Sequence, residues 1–329
     1  MIDGDNLTLM AHSPKTHNLT PIFVGGTGRS GTTILGDLLN EHSQIRTSNP
    51  TEIKFLSNRG GLLDVIFGSP SLKLLDRKKI SMLHVRTYRQ RKRRDLDARY
   101  LRMQEFKERL WQKWWEIDAQ PPHGPGLHAG IDKEALAQII SRFEKSLKGN
   151  PSRLGTRFMN DFISAQLDSS GYEKYWAETT PMNISYARQL LILYPQARFI
   201  VMRRDPRDVI ASLLTKDWGP TTPLEGIEWI EKRLRSDSFG ESFIPDNQLL
   251  VVNLEDLVSN SPKESYQRIL NFLKVIDEPA MRAFHQERMS SDLASSGRWK
   301  TQIDSPEFSQ AFTDMIQRLE HDSVKFGLI

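Results

Sequence analysis

A glycine-rich stretch near the start of the chain has the residue types of an anion-binding loop. It reads Gly-Gly-Thr-Gly-Arg-Ser-Gly-Thr-Thr over residues 25–33. Glycines permit a tight turn in which backbone N–H groups and the positive end of a following helix surround an anion, and the hydroxyls of Thr32 and Thr33 add donors. A loop for a magnesium-bound triphosphate would have lysine before its Ser or Thr, whereas Gly31 precedes Thr32 here. Arg29 supplies positive charge earlier in the loop, which favours an anion other than a magnesium-bound triphosphate.

A second basic motif has the composition of another anion site. It reads Arg-Arg-Asp-Pro-Arg-Asp-Val-Ile-Ala-Ser over residues 203–212, after one apolar run and leading into another. This pattern predicts a strand that ends at the arginines and a helix that begins near the proline. An arginine at the strand end and a serine hydroxyl two turns later can converge on one phosphate. We therefore expect a second phosphate site here.

The elements that must position these motifs are strands and helices in alternation. Apolar runs predict strands at residues 21–24, 197–202 and 249–252, and helical spacing predicts a helix over residues 32–40 and another from Pro206. Alternation of this kind predicts an α/β fold with a mostly parallel sheet and helices on both faces. Ligands bind at the carboxyl ends of such strands, where both motifs lie.

A helical insertion is predicted to interrupt this pattern over residues 62–148. Its segment 86–115 combines basic residues with aromatic ones, a composition that could bind an acidic glycan, lipid headgroups or nucleic acid. An amphipathic helix with the aromatic side chains packed inward explains the same residues, and we favour that interpretation. The predicted organisation is a polar tail over residues 1–20 and a single P-loop-like domain over residues 21–329.

Together the motifs resemble those of the sulfotransferases that use 3′-phosphoadenosine 5′-phosphosulfate (PAPS). Residues 28–33 resemble the loop that binds the 5′-phosphosulfate, and residues 204–212 resemble the 3′-phosphate motif. Residues 253–257 resemble the late strand-to-helix segment of the family, and residues 297–300 resemble the loop that closes over the nucleotide. The resemblance spans roughly residues 21–300 apart from the insertion, and it implies a P-loop-like fold and sulfuryl transfer to an acceptor hydroxyl.

Carried over by position, the resemblance assigns the donor-binding residues in three groups. The 5′ end is held by the loop, the 3′-phosphate by the second motif, and the closing loop approaches that phosphate. The residues of the loop are Gly28, Arg29, Ser30, Gly31, Thr32 and Thr33. The 3′-phosphate residues are Arg204 and Ser212, and those of the closing loop are Arg298, Trp299 and Lys300.

The predicted catalytic base is Glu52. It lies where the tyrosylprotein and carbohydrate-type branch of the family places a catalytic glutamate, although a first-turn helix position would also suit a glutamate. His42 is the alternative that matches cytosolic relatives, and Glu178 is a second carboxylate. Thr179 replaces a lysine of the family pattern, so Arg29 and Lys54 are the cations predicted to stabilise developing charge.

Composition narrows the function further. The chain has 329 residues, a net charge of +4 and no cysteine, which excludes thiolate chemistry and disulfides. The histidines show no metal-ligand spacing, so we expect no metal, and no nucleic acid partner is expected. No apolar run reaches membrane-spanning length, and a cytoplasmic location is expected.

The sequence does not identify the acceptor. An acidic glycan, a lipid and a peptide are all possible acceptors. A phosphotransferase on the same fold and a non-catalytic nucleotide- or polyanion-binding module are the competing interpretations.

Overall fold

Five parallel strands form the centre of the structure, a computed structural model that describes residues 19–68, 85–116, 126–166, 173–290, 292 and 295–326. The strand order is β2-β3-β1-β4-β5. The strands are β1 Thr20–Gly26, β2 Ile45–Thr47, β3 Tyr175–Glu178, β4 Arg198–Arg203 and β5 Leu249–Asn253. The three predicted strands are confirmed as β1, β4 and β5, whereas the short strands β2 and β3 were not predicted.

Helices cover both faces of the sheet, because the inner strands are apolar on both sides. Ile22 of β1 packs into one core with Leu35 of the first helix, and its neighbour Phe23 packs into a second core with Phe158. Successive side chains of a strand point to opposite faces, so alternate residues of β1 and β4 feed the two cores. The predicted α/β fold with a parallel sheet between helices is therefore confirmed.

The helices follow the strands as crossover connections or belong to the insertion and the C-terminal part. They are α1 Thr32–Asn40, α2 Leu62–Phe67, α3 Val85–Arg109, α4 Lys133–Lys145, α5 Pro151–Gln166, α6 Ala187–Leu193, α7 Pro206–Leu213, α8 Pro223–Glu241, α9 Pro262–Leu273, α10 Pro279–Arg288, α11 Trp299–Gln302 and α12 Pro306–His321. Helix α1 begins and ends at the predicted residues, and α7 begins at Pro206 as predicted.

The described part of the insertion is mostly helical. Helix α3 continues through a π-helical turn, Leu110–Trp114, and buries Phe106, Trp114 and Trp115 while Arg93 and Arg94 are exposed. This is the amphipathic arrangement favoured from the sequence. The side chains of Arg91 and Lys92, and residues 69–84 and 117–125 of the insertion, lie outside the described part, as do residues 1–18 of the predicted tail.

A third core lies beside α7. It joins α7 to α8 and α12, and Trp299 of the predicted closing loop packs against it. The loop is thus attached to the helix that follows the second anion motif. No helix in the described ranges is long and apolar enough to cross a membrane.

Candidate active site

A cavity of about 1090 Å³ opens at the carboxyl edge of the sheet. The phosphate loop, one face of α1, the segment after β2, one edge of the helical insertion and the end of α5 contribute to its walls. Its lining residues include Gly28, Arg29, Thr32, Thr33, Asp37, Asn40, Thr47, Ser48, Asn49, Glu52, Lys54, Gly130, Gln166 and Arg204. Residues from both sequence motifs and from the predicted catalytic segment therefore share one cavity.

The loop between β1 and α1 has the backbone of an anion-binding turn. Gly28, Arg29 and Gly31 have φ angles of 72°, 57° and 92°, in the left-handed region. Helix α1 begins after Gly31 without a side-chain cap on its first N–H groups. The φ angle of Gly31 favours glycine there, and a methyl group would also lie 2.7 Å from Cδ1 of Leu254. The hydroxyl of Ser30 is buried and has no hydrogen-bond partner among the described residues, as expected for a group that meets a bound anion.

Three arginines lie close enough for their charges to interact, and one of them contacts Ser212; we call Arg29, Arg204, Arg298 and Ser212 the arginine cluster. Arg29 donates from Nε to the Ser212 hydroxyl at 3.1 Å, and Arg204 donates to the backbone carbonyl of Arg29 at 2.9 Å. The side chain of Arg29 thus reaches the predicted 3′-phosphate site as well as the cavity. Arg298 has a buried Nε without a hydrogen-bond partner in the described ranges.

The electrostatics of the arginine cluster favour an anion. Burial lowers the pKa of Arg204; Asp208 and Glu255 oppose that shift, while the charges of Arg298 and Arg29 add to it. Burial also lowers the pKa of Arg29, where Glu52 opposes the shift and Arg298 adds to it. Like charges in a partly buried site repel one another, and a phosphate would relieve that repulsion.

The predicted closing loop is bound to α7. Asp208 accepts hydrogen bonds from the N–H groups of Gly297 and Trp299 at 2.8 and 3.2 Å. The guanidinium of Arg207 lies 4.2 Å from the centroid of the Trp299 ring. Lys300 is exposed, with Nζ 5.9 Å from the same ring. The structure thus brings Arg298 to the arginine cluster, places Trp299 as packing, and leaves Lys300 at the surface.

Glu52 lies in the cavity beside the phosphate loop. The Thr33 hydroxyl donates to Oε1 over a long 3.5 Å contact. Burial raises the pKa of the Glu52 carboxyl, while the charge of Lys54, the Thr33 contact and the charge of Arg29 act in the opposite direction. A carboxylate with a raised pKa and cations nearby can accept a proton from a hydroxyl held in the same cavity.

Lys54 faces the same cavity from a left-handed backbone position, with a φ angle of 59°. Its N–H donates to the Thr180 hydroxyl at 3.2 Å, which fixes the backbone between Glu52 and the end of β3. Because Thr179 stands where family members often have lysine, Lys54 and Arg29 are the cations that the structure places near Glu52. Their predicted role, to stabilise developing charge, stays a prediction.

Glu178, the second candidate base, supports the catalytic segment from behind. It is fully buried, and its Oε1 accepts from the N–H groups of Ile53 and Thr180 at 3.2 and 3.0 Å. Its Oε2 accepts from the Asn183 amide at 2.6 Å. Burial raises the pKa of Glu178 to about 7. Because this carboxyl does not line the cavity, its role is to hold the backbone that carries Glu52.

His42, the third candidate base, is also occupied elsewhere. Its Nε2 lies 3.0 Å from the Ile276 carbonyl, and its Nδ1 accepts from the Gln44 N–H at 3.0 Å. The ring is buried and does not line the cavity. His42 therefore connects the end of α1 to the segment before α10, and Glu52 is the candidate base that faces the cavity.

Neutral amides and hydroxyls line another part of the cavity, next to Arg46, which pairs with Glu173. We call this the polar wall; its members are Asn40, Thr47, Ser48, Asn49 and Gln166. The Thr47 hydroxyl donates to Asn40 at 2.8 Å, the Ser48 hydroxyl to Gln166 at 2.9 Å, and the Asn49 amide to the Ala129 carbonyl at 2.9 Å. Asp37 lies beside it with no hydrogen bond or ion pair within the described residues, and burial raises the pKa of its carboxyl.

Sequence reasoning missed one arginine that supports the site. Arg233 donates from Nη2 to the carbonyls of Gly26 and Pro181 at 2.7 and 2.5 Å, and from Nε to Asp237 at 2.9 Å. It thereby joins the start of the phosphate loop to the turn after β3. No local motif marks Arg233, because its partners lie far away along the chain. Within the described ranges no group of three or more histidine or acidic residues is placed to hold a metal ion.

Comparison with known proteins assigns the chain to a family. The model of the "Sulfotransferase family" matches residues 21–279. This protein belongs to the sulfotransferase family. A curated protein of Caenorhabditis briggsae, described as "Putative protein-tyrosine sulfotransferase", is 23% identical over 277 residues, which cover 80% of this chain and 69% of that protein.

Solved structures agree on the fold. The sulfotransferase domain of the Synechococcus PCC 7002 olefin synthase superposes with a TM-score of 0.52 at 18% identity, covering 95% of this chain and 98% of that domain. Sulfotransferase STF9 from Mycobacterium avium gives a TM-score of 0.46 at 16% identity, with 94% and 78% of the two chains covered. The match of the family model confirms the predicted resemblance to sulfotransferases, and the olefin synthase domain agrees with the predicted fold.

Proposed function

We propose that this protein transfers a sulfuryl group from PAPS to an acceptor hydroxyl, with Glu52 as the base. One observation carries the proposal: a single cavity joins an anion-binding loop and two members of the arginine cluster to a glutamate with a raised pKa. Family membership supports the reaction class. The arrangement provides the two functions that such a transfer needs, a site for an anionic donor and an acceptor for a proton.

The phosphate loop and the arginine cluster divide the donor between them in this proposal. The loop, with the hydroxyls of Thr32 and Thr33, would hold the 5′ end, and Arg204, Ser212 and Arg298 would hold the 3′-phosphate. The buried orphan atoms Ser30 Oγ and Arg298 Nε fit such anionic groups. When bound, PAPS supplies an activated sulfuryl group on its 5′-phosphate.

The residues beside the loop would carry the chemistry on the acceptor. Glu52 takes the proton of the acceptor hydroxyl, and its raised pKa makes it a stronger base than an exposed glutamate. Lys54 and Arg29, whose charges act on Glu52, stabilise the negative charge that develops on oxygen. The polar wall gives the acceptor side neutral hydrogen-bonding partners, which suits a hydroxyl-bearing acceptor such as a carbohydrate, a phenol or a peptide tyrosine.

Transfer of radiolabel from sulfur-labelled PAPS to a panel of phenols, tyrosine peptides and glycans tests the proposal. We expect transfer by the natural protein, and Glu52→Gln should lower kcat by about 10²- to 10⁴-fold, the usual contribution of a general base. Glu41→Gln is the matched control, because Glu41 is exposed and does not line the cavity.

Three outcomes would contradict this assignment, each in a distinct way. Undiminished transfer by Glu52→Gln would place the base elsewhere. Nucleotide binding without transfer to any acceptor of the panel would favour a binding module. Phosphoryl transfer from magnesium-ATP would favour a phosphotransferase.

A further inference from the structure

A carboxylate occupies an unexpected place beside the arginine cluster. Asp208 is the third residue of α7, is buried, and lies near enough to Arg204 for its charge to raise the pKa of that guanidinium. A negative charge beside a phosphate site opposes phosphate binding by simple electrostatics. Its presence there therefore calls for a role that outweighs the repulsion.

The hydrogen bonds of Asp208 indicate such a role. Oδ2 accepts from the Gly297 N–H at 2.8 Å and Oδ1 accepts from the Trp299 N–H at 3.2 Å. Both oxygens are thus engaged with backbone groups on either side of Arg298. Hydrogen bonds to a charged acceptor are stronger than neutral ones, so this carboxylate holds the backbone of the closing loop in a defined position.

The neighbouring residue holds the same loop through its side chain. Arg207 stacks over Trp299 at 4.2 Å and is itself held by Asp205, to which Nη2 donates at 2.6 Å. Two consecutive residues of α7, Arg207 and Asp208, therefore bind the closing loop at Gly297 and Trp299. Arg298 lies between these two loop residues. Its Nε is buried without a hydrogen-bond partner in the described part of the chain, and its charge acts on both Arg29 and Arg204.

We propose that Asp208 is a positioning residue that makes the site select nucleotides with a 3′-phosphate, because it fixes the loop that presents Arg298 to the arginine cluster. The inference rests on the proposed function, since it takes the cluster to be the 3′-phosphate site. It predicts that Asp208 improves the binding of a dianion even though its own charge is negative.

Calorimetric titration with 3′-phosphoadenosine 5′-phosphate (PAP) and with adenosine 5′-phosphate, which lacks the 3′-phosphate, tests this role. We expect Asp208→Ala to weaken PAP binding by about tenfold and to change binding of adenosine 5′-phosphate by less than twofold. Asp208→Asn keeps a carbonyl oxygen for one of the two N–H groups and should retain an intermediate preference. Asp217→Ala is the matched control, because Asp217 is exposed and has no described hydrogen bond; it should leave the preference unchanged.

Tighter PAP binding by the Asp208 variants would overturn the inference. If Asp208 acts only as a charge, both variants bind PAP more tightly than the natural protein. If Asp208→Ala weakens both nucleotides equally, the residue supports the fold and not the preference. A natural protein that does not prefer PAP to adenosine 5′-phosphate would instead contradict the proposed function itself.

A double-mutant cycle with Arg298→Ala keeps the test decisive even where Asp208→Ala folds poorly, because it can be run with Asp208→Asn. If Asp208 acts through Arg298, Arg298→Ala lowers the preference for PAP, and adding Asp208→Asn lowers that preference no further. Additive losses would show that the two residues act independently and would contradict the inference.

Discussion

Two members of the arginine cluster and the polar wall line the same cavity, but the two regions are built in different ways. The cluster gathers positive charge from three distant parts of the chain, and burial and mutual repulsion lower the pKa of two of its arginines, Arg29 and Arg204. The polar wall consists of neutral side chains beside Arg46. They hydrogen-bond to one another, as Ser48 does to Gln166, and to the insertion, as Asn49 does to the Ala129 carbonyl.

This difference separates what the cavity requires of an anionic ligand from what it requires of the acceptor. Charged groups held against their mutual repulsion need a bound anion, so the arginine cluster specifies the chemistry of its ligand. Amides that are already hydrogen-bonded to one another specify shape more than charge. The arginine cluster therefore indicates an anionic ligand, whereas the polar wall limits the acceptor only to a polar molecule.

The largest effect is expected at Glu178, which holds the backbone of the catalytic segment behind the cavity. Glu178→Ala would leave the buried donors of Ile53, Thr180 and Asn183 without their acceptor, and each such group costs about 1–3 kcal/mol. We expect the free energy of unfolding in denaturant to fall by about 3 kcal/mol or more. Glu228→Ala, at an exposed position on α8, should change it by less than about 0.5 kcal/mol. Equal effects of the two variants would show that Glu178 does not hold the catalytic segment.

The second effect concerns the pH dependence of catalysis. Glu52 must be ionised to act as a base, and burial raises its pKa, so activity should fall on acidification at a higher pH than an ordinary glutamate, with a pKa of about 4.3, would give. The charge of Lys54 holds that pKa down, so Lys54→Met should move the acid limb of kcat/KM to still higher pH. The pH profiles of the two proteins measure this shift, and an unmoved limb in Lys54→Met would contradict the assignment.

The smallest effect tests the acceptor side. Asp37 is the carboxylate beside the polar wall, and it has no cation as a partner among the described residues, so we expect it to favour acceptors that carry an ammonium group. Partly exposed ion pairs contribute about 0–1 kcal/mol, which corresponds to at most about fivefold in the ratio of kcat/KM for tyramine over 4-ethylphenol. Asp37→Asn should abolish that preference and leave PAP binding intact. A ratio that stays the same would remove Asp37 from the acceptor site.

The strands and helices that carry the two anion motifs were predicted well because their signals are local. The apolar runs of β1, β4 and β5 and the glycines of the phosphate loop act within a few residues of themselves, so their spacing reveals strand, turn and helix. The predicted positions of the phosphate loop and of the second motif at strand ends follow from the same signals. The fold class was therefore accessible from pattern alone.

The supporting residues could not be predicted because their partners are distant in sequence. Arg233 binds the carbonyl of Gly26, and Asp208 binds the N–H of Gly297, across gaps of 207 and 89 residues. Strands β2 and β3 are three and four residues long, too short for a clear periodic signal. The same limit applies to Glu178, whose burial removes it from the cavity although its motif suggested a base.

Titration with PAP, with magnesium-ATP as the comparison, tests the central claim most directly. The account predicts micromolar binding of PAP that Arg204→Ala weakens by about tenfold or more, since a hydrogen bond to a charged group contributes about 1.5–3 kcal/mol. It also predicts weaker binding of magnesium-ATP than of PAP. Tighter binding of magnesium-ATP, or PAP binding that Arg204→Ala leaves unchanged, would contradict the assignment of the arginine cluster to the 3′-phosphate and with it the proposed reaction.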